Sequence, residues 1–302
     1  MRRALAWVDG NVVDAAAARV SVLDRGFTLA DGCFETMRLY AGLPYALDRH
    51  LARLATSARL LDIPLDRAPA RPAAVVRALA EAWGPEEDGM LRVTLTRGVA
   101  GGVAGPRAEA AAPTLVATVI PVPYPARFYE EGLRAVLLDR PRRAPPEVLD
   151  PRAKTLAYLP HVLARREAER RGADEALLLS TDGRLAEATT ANVFLVKNGA
   201  LATPDLATGI LDGLTRADVL RLARAEGLAV EERAIDPREA AAADEILLTA
   251  SVGEVLPVTR LDGRAVGDGR VGAVARRIAD LYRLHVKQSL SQGARGVWET
   301  IN

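Results

Sequence analysis

The stretch Pro121-Val122-Pro123-Tyr124-Pro125 sets the division of the chain into two parts. Prolines at every second position lack backbone N–H donors and have a fixed φ, so this stretch suits neither a helix nor a central strand. We therefore predict a linker over 121–128, a smaller α+β domain at 1–120 and a larger domain at 129–285. Residues 286–302 are polar and are predicted to form an irregular tail. The length of 302 residues fits two domains, since a typical domain has about 100–150 residues.

Before the linker, the apolar pattern alternates between strand and helix signals. The Asp9-Gly10 pair between apolar runs is a strong hairpin signal, and a second hairpin is predicted around Ala41-Gly42. From Leu47 to Leu61 apolar residues recur at helical spacing, with Asp48 as the predicted N-cap. The predicted elements are strands 4–8, 11–13, 34–40, 43–47, 90–96 and 114–120 and helices 47–61 and 70–83, with a Gly- and Ala-rich loop at 98–112.

After the linker, strands and helices follow one another in the manner of an α/β domain. A Thr181-Asp182-Gly183 turn joins the two strands of another predicted hairpin. The predicted elements are strand 133–138, a Pro- and Arg-rich loop at 140–152, helix 155–171, hairpin strands 175–180 and 184–194, helix 216–227, several short strands and helix 270–284. The chain as a whole is therefore predicted to belong to the α/β class.

The composition excludes several functional classes. Hydrophobic residues make up 49% and charged residues 26% of the chain, as in ordinary globular proteins. The formal net charge is +1, so we expect no nucleic-acid partner. The single cysteine, Cys33, excludes an internal disulfide, and the scattered histidines predict no metal site. We expect no membrane partner and a cytoplasmic location, because no apolar run reaches about 18 residues and no signal sequence is recognisable.

Lys154 is the first candidate for catalytic chemistry. Lysine is scarce in this chain, and Lys154 lies in Asp150-Pro151-Arg152-Ala153-Lys154-Thr155-Leu156-Ala157-Tyr158, just before a predicted helix. An amine forms a Schiff base readily when its pKa is lowered, and both Arg152 and a helix N-terminus would lower it. On the local sequence alone, however, a solvated lysine at a helix start is the better-supported interpretation.

Three later segments also carry residues suited to chemistry. Glu187 is the only acid in the run 185–194, and a carboxylate can keep a pyridine nitrogen protonated. The Gly-rich turn 208–216 leads into a helix, whose first amides suit a phosphate. The segment 249–254 ends a strand in small hydroxylated residues and is a second candidate phosphate-binding segment. Each segment also has a structural interpretation, such as a solvated hairpin face or a plain N-cap. The order of the segments along the chain therefore decides between the catalytic and the structural interpretation.

These motifs, taken in order, resemble a known family. Lys-Thr-Leu-x-Tyr, Glu-Ala-x-x-x-Asn-Val-Phe, Gly-Leu-Thr-Arg and Ser-x-Gly-Glu-Val-x-Pro-Val resemble the class IV aminotransferases, the fold-type IV pyridoxal-phosphate enzymes. That family includes branched-chain and D-amino-acid aminotransferases and aminodeoxychorismate lyase. Segments 21–27, 31–36 and 50–54 are similar as well, so the resemblance covers roughly 5–283. It implies an α+β N-terminal domain and an α/β C-terminal pseudo-barrel domain.

The resemblance implies pyridoxal 5'-phosphate as the cofactor and a role for each matching residue. Lys154 would be the catalytic residue, carrying the cofactor as a Schiff base and moving the substrate's Cα proton. Glu187 would hold the pyridine nitrogen, Tyr158 would contact the 3′ oxygen, and Leu211 would pack against the ring. The phosphate would be held by side chains and backbone amides of Arg53, Leu214, Thr215, Ser251 and Val252.

The sequence does not decide which members of the family share the substrate of this chain. Ala157 stands where the family often has Asn, and Thr36 stands where branched-chain enzymes usually have Gly. The segment 98–106 lacks the Arg-x-His pair with which D-amino-acid aminotransferases bind a carboxylate, although the stretch 24–38 resembles the D-amino-acid and lyase members. The candidate substrate-binding residues are Phe34, Arg38, Arg92, Arg97 and Ala250.

The predicted function is amino transfer from an amino acid or amine to a 2-oxo acid with ping-pong kinetics. Two alternatives remain: an aminodeoxychorismate lyase forming 4-aminobenzoate and pyruvate, and a non-catalytic binding protein on the same scaffold. The resemblance implies small amino acids and oxo acids as ligands. It also implies a homodimer in which the loop 98–112 reaches the partner's site.

Overall fold

A computed structural model describes residues 4–99 and 112–293. The chain forms two compact units. Of the described residues, the first contains 4–99, 112–123, 152–157 and 287–293, and the second contains 124–151 and 158–286. The segment that carries Lys154 thus belongs to the first unit, although it follows the predicted linker in sequence.

The first unit is built on a six-stranded antiparallel sheet in the order β2-β1-β6-β5-β3-β4. Its strands are β1 (Leu5–Val8), β2 (Asn11–Asp14), β3 (Gly32–Tyr40), β4 (Leu43–Pro44), β5 (Gly89–Thr96) and β6 (Thr114–Pro121). Its helices are α1 (Arg25–Leu29), α2 (Leu47–Leu60) and α3 (Pro72–Trp83), with a 3-10 turn at Leu65–Arg67.

Side chains on β3 alternate between the two faces of this sheet, as in any strand. Cys33, Met37 and Leu39 belong to the hydrophobic core, where they join Leu54 of α2 and Leu79 of α3. Full burial of each large apolar side chain contributes about 1.5–3 kcal/mol, so this layer of helix on sheet holds β3 firmly in place. The even-numbered residues of β3 lie on the opposite face.

The second unit contains a nine-stranded mixed sheet. Its strands are β7 (Leu133–Leu138), β8 (Glu175–Leu179), β9 (Leu185–Ala188), β10 (Asn192–Lys197), β11 (Ala200–Pro204), β12 (Val230–Arg233), β13 (Glu245–Ala250), β14 (Glu254–Leu261) and β15 (Arg264–Ala265). Its helices are α4 (Arg127–Glu130), α5 (Leu159–Arg170), α6 (Leu214–Ala225) and α7 (Pro237–Ala241), with a 3-10 turn at Leu206–Thr208. A last helix, α8 (Ala273–Gly293), continues past Val286, the last residue of this unit.

Six strands of the second unit close on themselves. The order runs β10-β13-β14-β7-β8-β9, and β9 pairs again with β10 through Glu187 and Asn192. Closure removes the exposed edges of these strands. The predicted α/β fold with a C-terminal pseudo-barrel is confirmed, and the ring closes at the acid singled out from the sequence.

Several predicted elements are wrong in detail. Helix α2 already begins at Leu47, so the strand predicted for 43–47 has only two residues, and Ala46 occupies the N-cap position instead of Asp48. The predicted strand 184–194 is two strands, because Ala188 N donates to Ala191 O across a tight turn. Helix α8 continues to Gly293, well past the predicted start of the irregular tail.

The sequence predicted that Lys154 lies at the start of a helix, and this prediction is wrong. Helix α5 begins only at Leu159, with Pro160 in its first turn. The segment before it runs beside β3, because Phe34 N donates to Lys154 O and Leu156 N donates to Gly32 O, both at 2.9 Å. These bonds with β3 hold the Lys154 segment against the six-stranded sheet.

Candidate active site

The backbone of Lys154 is fixed by two elements of the first unit. Besides the bonds with β3, Lys154 N donates to Ser57 Oγ of α2 at 3.0 Å. Ser57 is fully buried, and its hydroxyl is held in place by the core packing of α2. A lysine anchored in this way has a fixed Cα position while its side chain remains able to move, which suits an amine that must meet a carbonyl carbon.

Lys154 and Arg92, one of the predicted substrate residues, both lie close to the ring of another, Phe34. Phe34 and Arg92 belong to adjacent strands and share the face of the sheet opposite the core. The Lys154 Nζ lies 4.6 Å from the centroid of the Phe34 ring, and the Arg92 guanidinium carbon lies 3.6 Å from the same centroid. The chain therefore presents an amine, an aromatic wall and a guanidinium group together.

The other two candidate arginines have different surroundings. Arg97 donates to both carboxylate oxygens of Asp31 and to the carbonyls of Leu61 and Asp62. Arg38 donates to Asp88 through Nε and Nη2. These contacts give Arg97 and Arg38 structural roles, whereas Arg92 lies over the Phe34 ring that Lys154 also approaches.

Arg53, the predicted phosphate ligand, belongs to a buried cluster that the sequence did not reveal. Its Nε lies 2.6 Å from Glu35 Oε1, and His50 Nδ1 lies 2.7 Å from Glu35 Oε2. Burial alone would raise the pKa of the Glu35 carboxyl, but the hydrogen bonds from His50 and Arg53 outweigh it and hold the pKa at about 2. The pKa of His50 is lowered, chiefly by burial.

In the second unit, Glu187 is held on β9 by donors from three directions. Arg143 Nε lies 2.7 Å from Oε1, while Leu211 N donates to Oε2 at 3.1 Å and Asn192 Nδ2 to Oε2 at 3.4 Å. The Glu187 side chain is almost entirely buried. A buried carboxylate that is paired with a guanidinium group is a fixed negative charge, which is the group needed beside a pyridine nitrogen.

The backbone at the N-terminus of α6 passes close to the Asn192 side chain. Asn192 Nδ2 also donates to Leu211 O at 2.9 Å, and Gly213 is the N-cap residue of α6. A Cβ at Gly213 would overlap Asn192 Oδ1, so any larger residue there requires the Asn192 side chain to move. The next residues, Leu214 and Thr215, start the helix, and α6 is long enough for its dipole to favour an anion at this end.

Hydroxyl groups accompany this helix start. Thr215 is buried, and its Oγ1 lies 3.4 Å from the Tyr282 hydroxyl. Thr249 pairs directly across the sheet with Asn192. Within residues 4–99 and 112–293, the buried Thr249 Oγ1 has no hydrogen-bond partner. Such an orphaned hydroxyl is uncommon in protein interiors, and it fits a place where a polar ligand completes the bonding.

The remaining predicted cofactor residues are found at element ends. Tyr158 is the N-cap residue of α5, donates to Thr189 O at 3.2 Å and stacks on His161. Ala250 is the last residue of β13, and Ser251 and Val252 form the turn into β14. Backbone amides in a turn of this kind suit an anion.

Gly213→Ala is expected to lower the free energy of unfolding by about 1–3 kcal/mol, because the new methyl group overlaps the Asn192 amide. Urea unfolding of the wild type and the variant measures this difference. In an Asn192→Ala background the added methyl group has room, so the same substitution should cost much less. Equal stability of Gly213→Ala and the wild type would contradict the close contact.

Comparison with known proteins places the chain in a family. The profile described as Amino-transferase class IV matches residues 32–261. The chain therefore belongs to the class IV aminotransferase family, which confirms the resemblance found in the sequence. It is a pyridoxal-phosphate-dependent aminotransferase of fold type IV.

The similar proteins are themselves aminotransferases. A putative branched-chain-amino-acid aminotransferase from Methanocaldococcus jannaschii is 36% identical over 92% of this chain and 94% of its own length. The D-alanine aminotransferase of Bacillus licheniformis is 31% identical over 89% of this chain and 93% of its own length. The T.th. branched-chain amino acid aminotransferase complexed with N-(5'-phosphopyridoxyl)-L-glutamate has a TM-score of 0.81, 29% identity and 95% coverage of both chains. These relatives support amino transfer rather than the lyase alternative.

The buried groups described above fit this cofactor. Its phosphate needs backbone amides and hydroxyls, and within the second unit the start of α6 and Thr215 offer these. Its pyridine nitrogen needs a fixed carboxylate, and Glu187 is one. Among the described residues no cluster of side chains suits a metal ion, and no helix is both long and apolar enough to cross a membrane.

Proposed function

We propose that this aminotransferase transfers the amino group of branched-chain L-amino acids to 2-oxoglutarate. One observation carries the proposal: the Lys154 amine and the Arg92 guanidinium group both lie close to the Phe34 ring, at 4.6 Å and 3.6 Å from its centroid. An aromatic wall suits an apolar substrate side chain, and a guanidinium group suits the distal carboxylate of glutamate or 2-oxoglutarate. The branched-chain relatives, one of them described with a phosphopyridoxyl-L-glutamate ligand, support the same substrate pair.

D-Alanine is the second candidate donor. It is supported by the D-alanine aminotransferase relative, which is 31% identical and matches nearly its whole length. The stretch 24–38 also resembles the D-amino-acid members. The absence of an Arg-x-His pair in 98–106 argues the other way, although most of that loop lies outside the described residues.

We assign the cofactor contacts as follows. Lys154 carries the cofactor, Glu187 faces the pyridine nitrogen, Tyr158 contacts the 3′ oxygen, and Leu211 packs against the ring. The phosphate is bound by Arg53, Leu214, Thr215, Ser251 and Val252. The positions of Leu214 and Thr215 at the start of α6 and of Ser251 and Val252 in the turn after β13, together with the orphaned Thr249 hydroxyl, support this assignment.

The residues of the chain then have defined tasks. When bound, pyridoxal phosphate withdraws electrons from the substrate's Cα through its ring. Glu187 keeps the ring nitrogen protonated, which strengthens that withdrawal. The Lys154 amine takes the proton from Cα and returns it at the other end of the reacting system, acting as general base and then as general acid. Arg92 orients glutamate or 2-oxoglutarate by the distal carboxylate.

The substrate proposal is tested by assaying amino transfer from L-leucine, L-valine and D-alanine to 2-oxoglutarate and pyruvate. We expect L-leucine or L-valine with 2-oxoglutarate to give the highest kcat/KM. Preference for D-alanine with pyruvate would establish the second candidate. Absence of transfer from every donor would contradict the proposal, and formation of 4-aminobenzoate from aminodeoxychorismate would establish the lyase alternative.

Arg92→Gln is expected to raise the KM for 2-oxoglutarate by about tenfold or more, because a charge-assisted hydrogen bond is lost. The kcat should change less, since the lysine is untouched. Arg38→Gln is the matched control, because Arg38 is bonded to Asp88 instead. Steady-state kinetics with varied 2-oxoglutarate measures KM and kcat for both variants. Equal effects of the two substitutions would remove Arg92 from the proposed substrate site.

We also propose that the enzyme is a homodimer. The segment 20–29 carries five solvent-exposed apolar side chains, among them Val22 and Phe27, which are each 72% exposed. Clusters of this kind mark protein–protein interfaces. The described part of the loop 98–112 contributes the exposed Val99, and the prediction that this loop reaches the partner's site falls largely outside the described residues. A cytoplasmic location also stays a prediction.

Phe27→Asp is expected to convert the dimer to a monomer, because a buried charge without a partner costs several kcal/mol at an interface. Size-exclusion chromatography with light scattering at fixed protein concentration measures the mass. Val148→Asp is the control, since Val148 is 76% exposed but lies in a separate loop. A dimeric Phe27→Asp variant, or a monomeric wild type, would contradict the proposed interface.

A further inference from the structure

Glu35 is a carboxylate on the core face of a strand. It lies between Cys33 and Met37 on β3, shares their orientation and is 0% exposed. Carboxylates are rarely found there, because removing an ion from water is unfavourable unless partners replace the lost hydration. A tolerated buried charge at this position therefore needs partners that satisfy it.

The partners come from one face of α2. Arg53 donates to Glu35 through Nε at 2.6 Å and through Nη2 at 3.0 Å, so the guanidinium group is held at two points. His50, one turn earlier, bonds Oε2 through Nδ1 at 2.7 Å. Residues three apart on a helix lie on the same side, which brings both side chains to one carboxylate.

This arrangement restricts Arg53 strongly. An arginine side chain has four rotatable bonds and loses much entropy when it binds a ligand. Two parallel hydrogen bonds to a carboxylate fix the plane of the guanidinium group and the direction of its outer N–H groups. His50 in turn fixes the carboxylate. The depressed pKa of Glu35 means that the carboxylate stays ionised throughout the pH range in which enzymes work.

We propose that Glu35 and His50 are positioning residues that hold the Arg53 guanidinium group in the orientation that binds the cofactor phosphate. This inference rests on the proposed assignment of Arg53 to that phosphate. The competing explanation is a core ion pair that contributes only to stability. The two differ in their consequence for the phosphate, because a core ion pair affects ligands with and without a phosphate equally.

The test compares pyridoxal 5'-phosphate with pyridoxal, which has the same aldehyde but no phosphate. The cofactor-free full-length protein is titrated with each compound, and binding is followed by absorbance and by borohydride trapping with mass measurement of the Lys154 peptide. The quantity of interest is the ratio of the two dissociation constants. Loss of folding stability does not change this ratio, since both compounds bind the same folded protein.

Four variants are compared with the wild type. Glu35→Gln and His50→Gln test the positioning residues, and Arg53→Met removes the proposed phosphate ligand. Asp174→Asn is the matched control, because Asp174 is also a carboxylate bonded by two basic side chains, Arg127 and Arg134, in the other unit. If Glu35→Gln does not fold, His50→Gln decides the test, since it leaves the Glu35–Arg53 pair intact.

We expect the preference for the phosphorylated compound to fall by about tenfold or more in Arg53→Met and Glu35→Gln and by less in His50→Gln. Glu35→Gln should have no further effect in an Arg53→Met background, because it acts through that arginine. An unchanged ratio in Glu35→Gln or His50→Gln would overturn the positioning role, and so would an unchanged ratio in Arg53→Met. If the wild type binds neither compound, the proposed function itself fails.

Discussion

Lys154→Ala is expected to abolish amino transfer, lowering kcat by at least about 10⁴-fold. The amine is both the attachment point of the cofactor and the group that moves the proton of the substrate's Cα. No neighbouring side chain replaces it, because the other two lysines of the chain are Lys197 and Lys287. The effect on folding should be small, since the side chain is only half-buried and the backbone bonds to β3 and Ser57 remain.

The measurement combines single-turnover kinetics with borohydride trapping. In the wild type the mass of the cofactor should be found on the peptide that contains Lys154, and in the variant it should be found on none. Lys197→Ala is the matched control, because Lys197 is exposed and pairs with Asp244 on the surface. Retention of more than about a hundredth of the activity in Lys154→Ala would remove this lysine from its assigned role.

Glu187→Gln should lower kcat by about 10²–10³-fold, the usual loss when one fixed electrostatic group is removed from a catalytic site. Glutamine has the same shape but no charge, so it does not keep a pyridine nitrogen protonated. The Lys154 link to the cofactor should still form in this variant. Its absorbance spectrum should shift, because the protonation state of the ring nitrogen changes.

Two controls separate this effect from a general loss of structure. Glu187→Asp keeps the charge on a shorter side chain and should recover part of the activity. Glu167→Gln removes a carboxylate of α5 that pairs with Arg170 and Arg171 at the surface, where such pairs contribute little. A Glu187→Gln variant with wild-type kcat and an unchanged spectrum would show that Glu187 does not face the cofactor.

Arg143 is a site residue that its sequence environment did not indicate. It lies in the Pro- and Arg-rich loop 140–152, where several arginines look alike. Only the fold shows that Arg143 contacts Glu187, while Arg142 contacts Asp139 and backbone carbonyls on the surface. Such a pairing depends on a loop crossing to a strand more than forty positions away, and no local pattern encodes it.

Glu35 could have been found in part. It alternates with Cys33 and Met37, so an acid in the apolar register of a strand was visible in the sequence. The role of Glu35 was not visible, because the alternation alone does not show whether other elements pack on both faces of the strand. The partners His50 and Arg53 are 15 and 18 positions away, on a helix whose packing decides the contact.

The family, the cofactor and most strands and helices could be predicted from the sequence of this protein. These follow from signals that are local: apolar period, turn residues and motifs of four to eight neighbouring residues. The prediction of Lys154 at a helix start was wrong, since local sequence does not show that the segment bonds to β3. Tertiary contacts were needed to show that Lys154 and Arg92 share the Phe34 ring, that Glu35 bonds Arg53 and that Glu187 closes a ring of strands. Those contacts join distant parts of the chain, and only the packing of sheets and helices brings them together.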